Sequence, residues 1–299
     1  MSVSANLQQQ AAARLAEPGA LRVAAPVIVH RERELAKEIE AAAARGAGLC
    51  VYARPALPTR AVEDVPFPFF DQSDFRVRII EQPARNQFGA DAYELAADVM
   101  NALHWWSAPS LSCPLQLAAR CTESVSDQSF RVVDVIFAAT YQLPSRSVPA
   151  VALQLTGNDL CADLQQAVIA QLNGAMETPL VAQSRRNHDL ANEIARSGNP
   201  LNIEVLTPLP VRAMQGNPEA FFEGMEVRVK IAEQPALNAF SFNAYDVVED
   251  VAATLHWQPF AGLLAYPLAL AASPTALTNT PARREIDVIF NAVTGFVPE

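Results

Sequence analysis

The stretch EQPARNQFGADAYELAADVMNALHW runs from Glu81 to Trp105, and EQPALNAFSFNAYDVVEDVAATLHW runs from Glu233 to Trp257. About half of the aligned positions are identical, and most of the changes are like for like. Self-similarity of this length, at a separation of about half the chain, signals duplication of a whole domain rather than a short solenoid repeat. Both passages read the same way. Pro83 and Pro235 end a strand, because proline has no N–H for a sheet ladder. Asn86 and Asn238 suit the turn that follows. Asp91 and Asn243 suit helix N-caps, and Glu94 and Asp246 three residues later come close to capping boxes. Ala92, Leu95, Ala96, Val99 and Leu103 then recur at helical spacing, as do Ala244, Val247, Val248, Val251 and Leu255. The helices close on His104-Trp105 and His256-Trp257.

The match extends outward from this passage. FFDQSDFRVRII from Phe69 pairs with FFEGMEVRVKIA from Phe221, PLQLAA from Pro114 with PLALAA from Pro267, and VDVIFAAT from Val133 with IDVIFNAV from Ile286. Further upstream, LAKEIEAAAARGAGLCVYARP from Leu35 pairs with LANEIARSGNPLNIEVLTP from Leu190, and NLQQQAAARL from Asn6 resembles DLQQAVIAQL from Asp163. The sequence therefore divides into two copies, residues 1–145 and 146–299, with a linker-like seam in QLPSRSVPA, Gln142 to Ala150.

One copy serves as a template for both. A helix over about residues 6–16 is followed by a strand at PVIVH, a helix from near Glu32, and a strand at GLCVYA. A proline-rich loop is expected from Arg54 to Pro68. FRVRIIEQ alternates, with Phe75, Val77 and Ile79 on one face and Arg76 and Arg78 on the other, the pattern of a half-buried strand. The long helix and two final strands complete the copy. Consecutive strands with short connections predict an α+β fold, here two tandem copies of a mostly antiparallel sheet with helices packed on one face.

Apolar residues make up 51% of the 299 positions and charged residues 18%, as in a folded globular chain. No apolar run is long enough to span a bilayer, so no membrane partner is expected. MSVSANLQQQ shows no signal peptide, which predicts a cytoplasmic protein. The net charge is −10, and only Lys37 and Lys230 are lysines. Residues 1–149 hold 14 basic and 16 acidic side chains, whereas residues 150–299 hold 8 and 16. Such an acidic surface argues against sequence-specific nucleic-acid binding, which needs clustered Lys and Arg on phosphates.

Candidate chemistry is sparse. Cys50, Cys113, Cys121 and Cys161 are widely spaced and expected as buried or half-buried thiols, and His30 and His188 are isolated. The Arg pairs at Arg31 and Arg185 read as solvated faces. No phosphate-binding, nucleophile-elbow or zinc-protease motif is present, so neither metal nor cofactor is expected. The one tempting constellation is Glu81, Gln82, Asn86 and His104, each with a twin in Glu233, Gln234, Asn238 and His256. A carboxylate and a histidine could perform acid–base work. A strand end, a turn and a helix C-terminus, where a histidine cation favours the dipole, account for the same residues without catalysis. The chain is read as a non-enzyme. Trp105 and Trp257 are expected to plug the gap between helix end and sheet. The connections LPTRAVEDVPFPFF, Leu57 to Phe70, and LPVRAMQGNPEAFF, Leu209 to Phe222, differ in composition and are expected to touch different things.

Three stretches carry a family resemblance. They are the opening helix running on to RLAEPGALRVAAPVIVHRERELAKEIEAA, GLCVYARPAL with its loop to PFF, and RVRIIEQPARN with the helix ending ALHWW. Together they cover most of residues 6–141, and the second copy repeats them more loosely. In these stretches the chain resembles prophage and phage tail terminator, or tail completion, proteins. The resemblance implies a structural ring that caps the tail tube and joins it to the neck, with itself, the tube protein and a neck or head–tail connector protein as partners. It implies the host cytoplasm during assembly and then the virion tail. Members usually carry one such domain. Two fused copies allow a trimer with pseudo-sixfold symmetry, or a hexamer with the copies in stacked layers. The rival readings are another minor tail or neck protein, an uncharacterised enzyme, or a tandem small-molecule-binding module, which would want convergent polar groups in a cleft.

Overall fold

The computed structural model describes residues 2–29, 47–62, 65–118, 122–126, 130–144, 159–185, 199–213, 222–271, 275–279 and 283–295. The helix expected near Glu32, its counterpart from Leu190, Cys121, His30, His188, Arg31 and most of the linker lie outside these residues.

The chain forms two compact units, residues 1–59 with 70–142, and residues 60–69 with 143–299. The first copy runs α1 (Val3–Leu15), β1 (Val27–Val29), β2 (Leu49–Ala53), β3 (Leu57–Ala61), β4 (Phe69–Glu81), α2 (Ala92–Leu103), β5 (Gln116–Leu117), β6 (Thr122–Ser126) and β7 (Arg131–Gln142). The second runs α3 (Leu160–Ala175), β8 (Ala182–Arg185), β9 (Leu201–Leu206), β10 (Leu209–Ala213), β11 (Phe222–Glu233), α4 (Ala244–Leu255), β12 (Ala269–Leu270), β13 (Thr275–Asn279) and β14 (Arg284–Gly295). Each copy has one sheet of seven strands. The order β1-β2-β4-β7-β5, with β3 on β4 and β6 on β7, recurs strand for strand as β8-β9-β11-β14-β12, with β10 on β11 and β13 on β14. Only β1–β2 and β8–β9 are parallel among the described pairings. The fold is α+β, present twice.

Seven strands exceed the five that periodicity predicts. The additional β3 lies inside the segment expected as a proline-rich loop. Pro58 and Pro210 are tolerated because β3 and β10 pair only with β4 and β11, so each needs ladder donors on one side only.

The alternation read from FRVRIIEQ is present. Phe75, Val77 and Ile79 are fully buried, as are Val227, Val229 and Ile231. On the other face Arg78 clasps Asp134 with two hydrogen bonds of 2.7 Å. Both first helices anchor to the sheet through a repeated glutamine. Gln8 Nε2 donates to the Ala53 carbonyl and Gln165 Nε2 to the Val205 carbonyl, each at 2.7 Å. Both long helices form complete capping boxes, at Asp91–Glu94 and Asn243–Asp246. Asp98 of α2 receives a bidentate contact from Arg22, and its twin Asp250 of α4 receives the Thr178 amide and hydroxyl at 2.7 Å. The same helix face thus holds the chain after the first helix by different chemistry in each copy.

Candidate functional site

The repeated residues separate into two groups at opposite ends of the long helix. At its N-terminus, Glu81 reaches from the end of β4. It accepts from Asn86 Nδ2 at 2.9 Å, from the Ala92 amide at 3.1 Å and from Arg131 Nη1 at 2.8 Å. Glu233 repeats this with Asn238 at 2.6 Å, the Ala244 amide at 3.2 Å and Arg284 at 2.5 Å. The asparagine carbonyl oxygen accepts the amide two residues on, Phe88 or Phe240, and so closes the turn. Each arginine also lies over a tyrosine ring, Arg131 at 4.9 Å from Tyr93 and Arg284 at 4.4 Å from Tyr245. A carboxylate beneath the first amides of a helix is favoured by the dipole as well as by the hydrogen bond. Every strong contact of these glutamates is accounted for within the turn, the helix start and β7 or β14. Gln82 and Gln234 contribute main-chain bonds, from their amides to the Gly48 and Pro200 carbonyls at 2.7 Å. Pro83 opens a 3-10 turn, Pro83–Arg85, and Pro235 follows the end of β11 in the corresponding turn.

Arg131, Arg284, Tyr93 and Tyr245 are part of this brace and were not singled out from sequence. The available signal was alignment: each arginine opens the last strand of its copy, and each tyrosine stands at the same helix position.

The second group lies at the helix C-terminus. The Leu117 amide donates to His104 Nδ1 at 3.1 Å, and the Leu270 amide to His256 Nδ1 at 2.9 Å. Each imidazole therefore accepts a sheet amide at Nδ1. His104 and Glu81 do not meet in one catalytic arrangement, since they serve opposite ends of a 12-residue helix. In unit two, His256 Nε2 donates to the Val65 carbonyl at 2.7 Å. Burial pulls its pKa below the usual histidine value, outweighing the carbonyls of Val65 and Phe67.

The tryptophans that follow are not core plugs. Trp105 is 61% exposed and Trp257 40%. Both have left-handed backbone, with φ of 61° and 62°. The conformation ends the helix and lets the Trp105 amide reach the Leu115 carbonyl at 2.8 Å and the Trp257 amide the Leu268 carbonyl at 2.7 Å. Glycine or asparagine ordinarily occupies such a position. A bulky aromatic there costs about 1–3 kcal/mol, and the cost is present in both copies.

The surroundings of the two helices differ. Tyr93 is 46% exposed and Tyr245 3%; His104 is exposed and His256 is buried. Glu249, Asp250, Ala253 and Thr254 of α4 are also buried, although they lie outside the apolar stripe that α2 buries.

Elsewhere, Asp287 is the twin of Asp134, but Lys230 stands where Arg78 does and its Nζ is 4.0 Å away. Asp287 Oδ1 has no hydrogen-bond partner, and burial raises its pKa. Cys50 is buried and its thiol is pushed up to about 12 by burial, Cys161 is half-buried, and Cys113 is exposed, contrary to expectation. Among the described residues, no group of three or more His, Cys, Asp or Glu is placed to hold a metal ion, and no helix is long and apolar enough to cross a membrane. No protein-family model matches the chain, and neither does any curated protein.

Proposed function

We propose that this chain is a ring-forming structural protein of a phage or phage-like tail, which caps the tail tube and joins it to the neck. The observation that carries the reading is that the strand order of one sheet recurs strand for strand in the other. A chain with two fused copies of one fold supplies two equivalent positions, and heterologous relations between such positions generate closed rings when the rotation closes. The resemblance of both copies to tail terminator proteins supplies the biological setting. Three chains filling six positions is the favoured stoichiometry, because fusion makes every second contact intramolecular and raises its effective concentration. The partners on this reading are the tube protein on one side and a neck or connector protein on the other.

The test is electron microscopy of particles assembled with and without the protein. Tails of regular length should carry a ring of this chain at the head-proximal end, and its removal should leave overlong or headless tails. Normal particles lacking the protein would refute the assignment.

A further inference from the structure

β1 is the end strand of the first sheet, and its outer edge is bare where that of its twin, β8, is covered. The Val51 amide donates to the Pro26 carbonyl at 2.9 Å, and Val27 stands opposite Val51 in parallel register. Successive residues of a strand turn their main-chain groups to opposite sides. Pro26 and Ile28 therefore bond β2, while Val27 and Val29 direct their N–H and C=O groups away from the sheet. Among the described residues, these outward groups have no hydrogen-bond partner. The Ala25 amide is turned back on the Val23 carbonyl at 2.8 Å, which limits the bare edge to the Val-Ile-Val of β1. Val27 and Ile28 are half-buried, and Val29 is 42% exposed.

The second copy shows what such an edge requires. Ala182 is the twin of Val27, since each stands opposite the third residue of the next strand, Ile203 or Val51. The Ala182 amide donates to Asn173 Oδ1 at 2.7 Å, and Asn173 Nδ2 donates to the Ala182 carbonyl at 3.2 Å. The side-chain amide of Asn173 thus occupies the place of a further strand. Its counterpart in the first copy is Ala16, which has no group to do so.

We infer that the β1 edge is a strand-addition site for the β1 edge of a second copy of this chain, the two strands running antiparallel about a twofold axis at Ile28. The strand itself selects this occupant. Its outward groups are self-complementary: Val27 faces Val29 of the other copy and Val29 faces Val27, each pair exchanging both of its hydrogen bonds. Ile28 then meets Ile28 at the intervening non-bonded position, where side chains lie closest. Ile28 packs on the buried cluster of Cys50, Tyr52, Ile80 and Val132, so the pairing continues that cluster across the joint. β-Branched residues make favourable cross-strand pairs, and β1 contains none of the charges or prolines that keep an edge single. The inference goes beyond the ring reading and does not rest on it. A twofold joint pairs chains, or rings of chains, whereas a ring is closed by a separate, heterologous contact.

The test is light scattering of the full chain across a concentration series, with hydrogen exchange on the same samples. The mass of the parent should double with concentration. In the concentrated sample the Val27 and Val29 amides should exchange about tenfold or more slowly than in the dilute one, while the Ile28 amide, already bonded to β2, should not change. Val27→Pro removes an outward donor and leaves the bonds to β2 in place. Val29→Lys puts on the edge the charge that ordinarily keeps one single. Each variant should weaken pairing by about tenfold or more and melt like the parent. If Val27→Pro melts early, Val29→Lys and the exchange of the parent decide. A parent that never doubles overturns the inference, as does doubling that leaves the Val27 and Val29 amides unprotected or that survives in Val29→Lys. Rings that form without pairing would sink this joint and leave the ring reading standing; paired chains that never form rings would do the reverse.

Discussion

Arg284 and Arg131 do the same job in two environments, so a matched pair of substitutions weighs the brace directly. Arg284 and Glu233 have side chains 2% exposed, at 2.5 Å. Arg131 is 27% exposed over a Glu81 that is 4% exposed, at 2.8 Å. Replacing Arg284 by methionine fills much of its volume but leaves the Glu233 carboxylate buried, with only Asn238 and the Ala244 amide for company. Removing one partner of a buried pair costs about 3–5 kcal/mol. The lost stacking on Tyr245 adds about 0.5–2 kcal/mol. For a unit of this size each kcal/mol lowers Tm by about 2–4 °C, so Arg284→Met should lower the melting of the second unit by about 7–28 °C. Arg131→Met lets water reach Glu81 where the guanidinium stood, and its cost should be about 1–2 kcal/mol, or about 2–8 °C. Differential scanning calorimetry, with proteolysis to assign each transition to its unit, reads both. Equal shifts in the two variants, or a shift under about 3 °C for Arg284→Met, would refute the claim that burial makes this ion pair structurally decisive.

Three other outcomes follow from single observations. Gly48 has φ of 86°, and a Cβ there would lie 2.4 Å from the Arg85 carbonyl carbon and the Asn86 amide nitrogen; Gly48→Ala should destabilise the first unit by about 2 kcal/mol or more in urea titration, and a neutral result would contradict the close approach. Lys230→Arg should recreate the two-pronged contact that Arg78 makes with Asp134, raising the stability of the second unit by about 1–2 kcal/mol; no gain would mean that Asp287 is served by solvent. His256 has its pKa lowered from 6.5 in the fold, so the unfolded chain takes up its proton first as pH falls. Its contribution is complete above about pH 6.5 and is lost as pH drops from there through the folded value. Tm should fall more between pH 7.5 and 5.5 in the parent than in His256→Gln, and parallel slopes would count against it.

What was legible in the sequence follows from how local each signal is. The turn, cap and stripe in Glu81 to Leu103 lie within neighbouring turns of chain, so Pro83, Asn86, Asp91 and the apolar spacing marked the strand end and helix start, and both capping boxes formed. The duplication was legible because it compares the chain with itself. The roles of Arg131 and Arg284 were not, because each meets its glutamate across a strand pair 50 or 51 residues away in sequence; Glu233 and Arg284 are direct ladder partners, and only register reveals that. Pro58 and Pro210 concealed β3 and β10, since proline marks a loop unless the strand is known to lack a neighbour on one side. Trp105 and Trp257 were misplaced because size and apolarity argue for burial, while their left-handed backbone is invisible in composition. A helix ending Leu-His-Trp, with no glycine where a left-handed residue is needed, was the available signal.

The duplicated helix end also bears on why both tryptophans persist in a chain whose halves have otherwise drifted. The halves differ in charge, −2 against −8, and in their β3–β4 and β10–β11 connections. The Asp98 and Asp250 tethers have been rebuilt with different partners, and the Arg78 clasp has become a distant lysine. These two needs internal to each unit have been met by different side chains, whereas the Glu81 and Glu233 braces keep the same ones. His-Trp is unchanged in both, with the same φ, the same amide on Nδ1 and the same main-chain bond to the leucine opposite. A structural need alone would be met more cheaply by glycine at the second position. In the second unit His256 Nε2 also donates to the Val65 carbonyl, whereas in the first unit His104 is exposed. What is common to the two helix ends is thus an exposed ring on a strained turn, which glycine would form without strain.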